Sequence, residues 1–305
     1  MDVRRAARRR LRRVRTVLIR LLLGVFARLP LRVNQALGGA LGTLSWLVSP
    51  KLRRNTLNNL ARCFPEQDAA WHRRIGRRSL IETTRSLTEA PWLWRQSAET
   101  LRTLLIPGEQ AALLEAAGSH GEAIIATPHL GSWEFAGLCL ATLRPTTALY
   151  RPPRIKALDG FIRASRSRTG SRLVPTTPTG LRALRQALDV GEVVGMLPDQ
   201  TPKGSGGVFA PFFGQPAYTM RLLTQLARRT RAPVILAFCE RLPRGAGFRV
   251  HCVAASQTIY DNDPLTAASE LNRCVELLIR RCPTQYLWSY RRFARQPPPD
   301  TTTQA

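Results

Sequence analysis

Beyond Leu105 the chain alternates short apolar runs with amphipathic ones. The strand-like runs are EAIIAT, TTALYRP, RLVPT, VVGMLPD, PVILAFCERL and FRVHCVAA, each rich in β-branched or aromatic residues and bounded by turn residues. Between them SWEFAGLCLATL, LDGFIRASRSR, TGLRALRQALDVG and MRLLTQLARRT carry apolar residues at helical spacing. In the third of these, Thr179 is placed to cap the helix and Gly191 to end it. A last amphipathic helix is predicted from about Thr266 to Arg281, its apolar stripe being Leu271, Val275, Leu278 and Ile279. Such alternation predicts an α/β fold, with a central mixed sheet flanked by helices.

Upstream, the stretch from Pro50 to about Leu105 reads as helical and more polar, with Trp92 and Trp94 expected in the core. The first twenty residues hold nine arginines and one acid, and two short apolar runs come next, Leu21–Ala27 and Ala36–Val48. Both fall short of the ~20 residues a spanning helix needs. No clean small-residue cleavage site succeeds them, so a signal peptide is not expected. Arginines flanking short apolar helices suit an anchor lying in the interface of an anionic leaflet. The expected organisation is an anchor over 1–50, a catalytic domain over 51–295 and a disordered tail over 296–305.

Charge sharpens this picture. The net charge of +26 is carried almost wholly by arginine, which calls for an anionic partner: nucleic acid, a bilayer, or phosphorylated and acidic substrates. The six cysteines are scattered without C-x2-C pairs, and most sit inside apolar segments. They read as small buried hydrophobes in a reducing compartment, which places the domain on the cytoplasmic side. A single span with its basic end inside would put everything after it outside.

The candidate chemistry centres on AIIATPHLGSWE, Ala123 to Glu134. His129 falls at the exposed end of a strand, and Glu134 lies about one helical turn on, within reach of the imidazole. A histidine held by a carboxylate is the arrangement of an oriented general base. Gly131 permits close backbone approach, Ser132 is placed to cap the next helix, and the N–H groups of that helix start are candidates for an oxyanion site. The other histidines, His72, His120 and His251, occupy no comparable setting. There is no G-x-S-x-G or H-E-x-x-H motif, and no metal or cofactor is expected.

Three further blocks surround this one. In YRPPRIKALDGFIRASRSRTG, Arg151 precedes a helix on which Arg163 and Arg166 lie at i and i+3, suited to phosphate or carboxylate. In MLPDQTPKGSGGVFAPFFGQPAYTM, Asp199 and Gln200 end a buried strand, where open α/β sheets bind ligands. Phe209, Phe212 and Phe213 either wall an acyl groove or pack in the core. The block QYLWSYRRF reads as the closing of the core, with Arg291 and Arg292 facing anionic groups.

In this order and spacing the blocks resemble the bacterial lipid A biosynthesis late acyltransferases, a branch of the lysophospholipid acyltransferase superfamily. The likeness runs from the basic start through NTLNNLARCFPE, HLGSWE, YRP, RSRTG, LPDQ and FFGQPAYT to QYLWSYRRF. It implies an inner-membrane enzyme on the cytoplasmic face, taking an acyl chain from an acyl carrier protein thioester to a hydroxyl of Kdo-lipid A. On that resemblance His129 is the base, Glu134 holds the imidazole, and N–H groups near Gly131 meet the oxyanion. Arg166 binds a lipid phosphate or the transition state, and Asp199 matches the acid of the family's third block. Ser132 stands where the family commonly has Asn. The basic charge then suits both an acidic carrier protein and a phosphorylated glycolipid. The alternatives are transfer to another glycolipid, an ornithine lipid or a lysophospholipid, and a non-enzymatic basic protein. No nucleic acid partner is expected, because the arginines are not interleaved with stacking aromatics.

Overall fold

The computed structural model describes residues 2–109, 121–153 and 155–297. His120, and the expected tail apart from its first two residues, lie outside them.

All six expected strands form: β1 (Ala123–Ala126), β2 (Thr146–Tyr150), β3 (Arg172–Pro175), β4 (Val193–Met196), β7 (Val234–Arg241) and β8 (Phe248–Ala254). They make one sheet in the order β3–β2–β4–β1–β7–β8, parallel except for β8, which pairs antiparallel with β7. The sheet is mixed, as expected. The central strands are apolar on both faces because helices cover both. Ile124 and Ala126 join one core with Leu184, Leu271 and Leu278, whereas Ala123 and Ile125 join another with Leu93, Phe135 and Cys139. An antiparallel hairpin, β5 (Gly207–Phe212) and β6 (Gln215–Met220), stands apart from the sheet. The sequence reading leaves this glycine-rich stretch as loop and turn, its glycines and prolines masking the alternation.

Among the described residues five α-helices precede the sheet: α1 (Asp2–Phe26), α2 (Leu31–Val48), α3 (Pro50–Cys63), α4 (Ala69–Leu93) and α5 (Ala98–Thr103). Helix α2 lies tightly against α4, and a side chain at Gly38 or Gly42 would strike the hydroxyls of Thr88 or Thr84. After β1 the described residues form the α-helices α6 (Trp133–Leu143), α7 (Asp159–Ser167), α8 (Pro178–Asp189), α9 (Leu222–Thr230) and α10 (Pro264–Arg281). The cap of α8 is Thr177, whose hydroxyl accepts from Gly180 N–H, and not Thr179, because Pro178 already occupies the first helical position. Gly191 lies just past its end, as expected.

The register of β1 against β4 brings two distant loops together. Ala126 of β1 pairs with Met196 of β4, so the two strands end level and side by side. His129 and Asp199 each lie three residues beyond those paired ends.

Among the described residues no helix is long and apolar enough to cross a membrane. Helix α1 nevertheless exposes Val14, Val17, Leu18, Leu21, Leu22 and Val25, one continuous stripe at helical spacing. Helix α2 exposes a second stripe through Val33, Leu37, Leu41 and Leu44.

Candidate active site

After β1 the chain turns through Thr127 and Pro128, and the turn is held at every step. Leu130 N–H returns to the Pro128 carbonyl (2.7 Å) and Leu287 N–H donates to the His129 carbonyl (3.0 Å). Gly131 adopts φ +62°, and a Cβ there would collide with the carbonyl of Cys239 on β7. Only glycine satisfies both conditions. That approach lets Ser132 N–H bond the same carbonyl (2.8 Å).

His129 is clamped on Asp199. Its backbone N–H donates to Oδ2 (3.0 Å), and its ring Nδ1 lies 2.8 Å from Oδ1. An ionised carboxylate only accepts, so Nδ1 carries the hydrogen and Nε2 keeps its lone pair. The side-chain amide of Gln200 donates to Nε2 at 3.0 Å. Burial pushes the Asp199 carboxyl up, but its electrostatic interaction with His129 and the two hydrogen bonds from that residue outweigh this and hold the pKa below 3.8. The His129 side chain is 15 % exposed and that of Asp199 3 %, so the ring is open at one edge and fixed at the other.

This corrects the sequence reading, in which Glu134 holds the imidazole. The Glu134 carboxylate is instead gripped by the Arg166 fork, with Nε 3.0 Å from Oε2 and Nη2 on Oε1, and Trp94 Nε1–H donates to Oε2 (2.9 Å). The reason is geometric. Glu134 lies in the first turn of α6, where Arg166 on α7 and Trp94 just beyond α4 meet it. Burial would raise its pKa, yet Arg166, Trp94 and the neighbouring His129 together lower it. Arg166 is raised in turn, its burial outweighed by Glu134. Its fork is therefore committed to a protein carboxylate and not left open for a phosphate.

Two smaller expectations also change. Ser132 occupies the N-cap position of α6, but its hydroxyl donates to the buried Glu89 (2.6 Å) and makes no cap bond. The N–H of Gly131 is taken by the Gln285 carbonyl (3.2 Å), and that of Ser132 by Cys239. Those two N–H groups are therefore committed within the protein and do not meet an oxyanion.

Of the other arginines, Arg163 turns toward β3 and stacks on Tyr150, its guanidinium 5.4 Å from the ring centre. Arg166 approaches the same ring at 5.6 Å. Tyr150 donates to Asp159 (2.7 Å), and burial together with that carboxylate pushes its pKa up to about 12. Arg151 lies exposed just past β2. Phe212 and Phe213 belong to the core, and Phe209 packs on Tyr218. Arg292 is buried and donates to the Tyr218 carbonyl (2.7 Å) and Thr219 hydroxyl (2.8 Å).

His251 does have a carboxylate partner, Glu240, at 2.8 Å, contrary to the view that His129 alone is so placed. That pair lies between β7 and the antiparallel edge strand β8, with the ring stacked on Phe238. All six cysteines are free, five of them buried, and burial drives the thiols of Cys139 and Cys274 up to about 12. No three His, Cys, Asp or Glu side chains converge as a metal site among the described residues.

Residues 3–295 match the family model for bacterial lipid A biosynthesis acyltransferases. The chain is 27% identical over 285 residues to a lipid A biosynthesis palmitoleoyltransferase of Escherichia coli, a match covering 90% of this chain and 89% of that protein. It is 26% identical over 278 residues to a lipid A biosynthesis lauroyltransferase of the same organism, covering 90% of each. A lipid A biosynthesis acyltransferase of Haemophilus influenzae is 24% identical over 274 residues, covering 87% of this chain and 85% of that protein.

Proposed function

The chain belongs to the bacterial lipid A biosynthesis acyltransferase family, and from that premise and the site geometry we propose how it transfers an acyl chain to a lipid A precursor. The acceptor is Kdo-lipid A and the donor an acyl carrier protein thioester. His129 is the general base: Nε2 takes the proton of an acceptor hydroxyl, whose oxygen attacks the thioester carbonyl. The carbon–sulfur bond breaks, and the departing thiolate receives the proton from the imidazolium, so the enzyme returns to its starting state. Asp199 keeps Nδ1 protonated and stabilises the imidazolium, the role a buried carboxylate plays behind any such base.

The observation carrying this reading is the lone pair on Nε2. Asp199 fixes the tautomer, and the Gln200 amide occupies the position the acceptor hydroxyl would take. Glu134 adds negative charge near the ring and locks Arg166 beside it.

The apolar stripes of α1 and α2 support seating on the cytoplasmic leaflet of the inner membrane, with residues 1–50 as the anchor. Arg20 of α1 donates to the Ala157 carbonyl (2.8 Å), in the turn that leads into α7 and Arg166. This contact of α1 with the turn before α7 supports arrival of a lipid acceptor from the α1 side. Acidic lipid headgroups attract the arginines of α1 by about 1 kcal/mol each.

The test is acyl transfer by purified protein, with Kdo-lipid A as acceptor and acyl carrier protein or coenzyme A thioesters as donors. His129→Ala should abolish transfer without loss of fold. Retained turnover in that variant removes the base, and transfer only to lysophospholipid removes the acceptor.

A further inference from the structure

Helix α4 carries polar residues along a face turned toward the site. Ser79, Glu82, Ser86 and Glu89 recur at intervals of three and four, which places them on one side of the helix. Ser79, Ser86 and Glu89 are buried. The Ser79 hydroxyl donates to the carbonyl of Tyr286 (2.6 Å), which bridges to Leu130. The Ser86 hydroxyl reaches the Gly131 carbonyl (3.0 Å), and Glu89 accepts from Ser132 (2.6 Å).

Arg241, the last residue of β7, crosses to this stripe from the sheet. It donates to Glu89 through Nε (2.7 Å) and Nη2 (2.5 Å), to Ser86 (2.6 Å), and to Glu82 through Nη1 (2.9 Å). Its backbone exchanges two hydrogen bonds with the side chain of Gln285, at 3.0 and 2.9 Å. The carbonyl of Gln285 in turn holds Gly131 N–H. Arg241 therefore reaches the Gly131–Ser132 turn from both sides.

Burying these ions costs several kcal/mol each, and apolar residues of like volume often stabilise a fold as well or better. The side chains are 2 % exposed at Arg241 and 0 % at Glu89. A network that deep, with its ends on the two residues following His129 and Leu130, is poorly explained by stability alone. We infer that Glu89 and Arg241 are positioning residues for the reaction. They fix the 130–132 turn and so hold His129 in register with Asp199. This rests on the proposed role of His129 as base.

The decisive variant replaces the pair by apolar residues, Glu89→Leu with Arg241→Met. Both charges go together, so the variant should stay folded at the assay temperature while kcat falls about 10- to 100-fold, the scale of an ångström's misplacement. KM for both substrates should stay within about twofold, because neither residue touches substrate on this reading. In protein labelled with nitrogen-15 at histidine, the His129 signals should show a mixture of tautomers. Ser132→Ala cuts the one direct bond from Glu89 to the turn and leaves those of Ser86 and Gln285, so it should lower kcat about tenfold while the protein stays folded. That variant decides the matter if the double variant fails to fold.

His129→Ala is measured alongside. If it is active, the functional reading falls. If it is dead while Ser132→Ala, or a folded double variant, keeps wild-type kcat and a single tautomer, only the positioning role is overturned.

Discussion

Nδ1 of His129 lies 2.8 Å from Oδ1 of Asp199, although the two are 70 residues apart in the chain. The pairing is a product of strand order. β1 and β4 are neighbours in register, and each is succeeded by one residue, a proline and then the functional side chain: Thr127-Pro128-His129 and Leu197-Pro198-Asp199. Proline holds the residue before it extended and cannot continue the ladder, so both segments leave the sheet at the same level.

Asp199→Asn tests the pairing directly. An asparagine amide can donate to Nδ1, which would move the ring hydrogen to Nε2 and remove the lone pair that accepts the hydroxyl proton. Turnover should fall on the order of 10²–10⁴, with little change in KM. Steady-state kinetics with the acyl carrier protein thioester measure it, and a loss below about threefold removes Asp199 from the base unit.

Glu134→Gln separates the second carboxylate from the first. It leaves the Arg166 fork on a neutral amide, which should cost about 1–3 kcal/mol of stability as well as activity. Arg166→Lys keeps the charge but not the planar fork, so its deficit should be intermediate. Thermal unfolding run beside kcat distinguishes the cases. Full stability in Glu134→Gln would show that the buried pair does not hold α6 and α7 together.

The sequence made the strands, the His129 turn and the arginine helix visible, because each is a local pattern of period or turn chemistry. Asp199 and Gln200 were visible as polar residues ending a buried strand. Their partner was not, because nothing local says that β4 lies beside β1. Glu134 is the instructive error. At five residues from His129 it seemed the natural carboxylate, but the chain reverses at Gly131 and carries it to Arg166. Glu89 is hidden for a related reason: Ser79, Glu82, Ser86 and Glu89 have the spacing of a solvated helix face, and only the fold brings Arg241 over them.

The stripe on α1 yields a prediction about membranes. Leu18→Glu with Leu21→Glu places two charges on the exposed apolar face without touching the core. Each leucine contributes about 1.5–3 kcal/mol when buried, so the partition onto anionic vesicles should drop more than tenfold. Transfer to acceptor dispersed in detergent should persist. Vesicle flotation measures the first and the transfer assay the second. Unchanged flotation would show that this face is not what meets lipid.

Acid stability is set by the depressed carboxylates. Asp199 and Glu134 have folded pKa values below their ordinary 3.8 and 4.5, and Glu270 is lowered to about 2. For Glu270 burial again opposes the shift, and the Arg273 fork (2.6 and 2.8 Å) and Ser256 N–H (2.7 Å) overcome it. Groups depressed in the folded state add stability that is complete above their unfolded pKa and disappears as pH falls through the folded one. The protein should therefore hold its melting temperature down to about pH 5 and lose it progressively toward pH 2. Asp199→Asn, Glu134→Gln and Glu270→Gln should each flatten that decline, the last of them down to about pH 2. Added salt screens repulsion among the exposed arginines but much less the buried pairs, so the differences between variants should survive at high ionic strength. Melting curves from about pH 6 to about pH 2 in low and high salt provide the check, and variants whose curves parallel the wild type throughout would mean that these carboxylates are not what acid attacks.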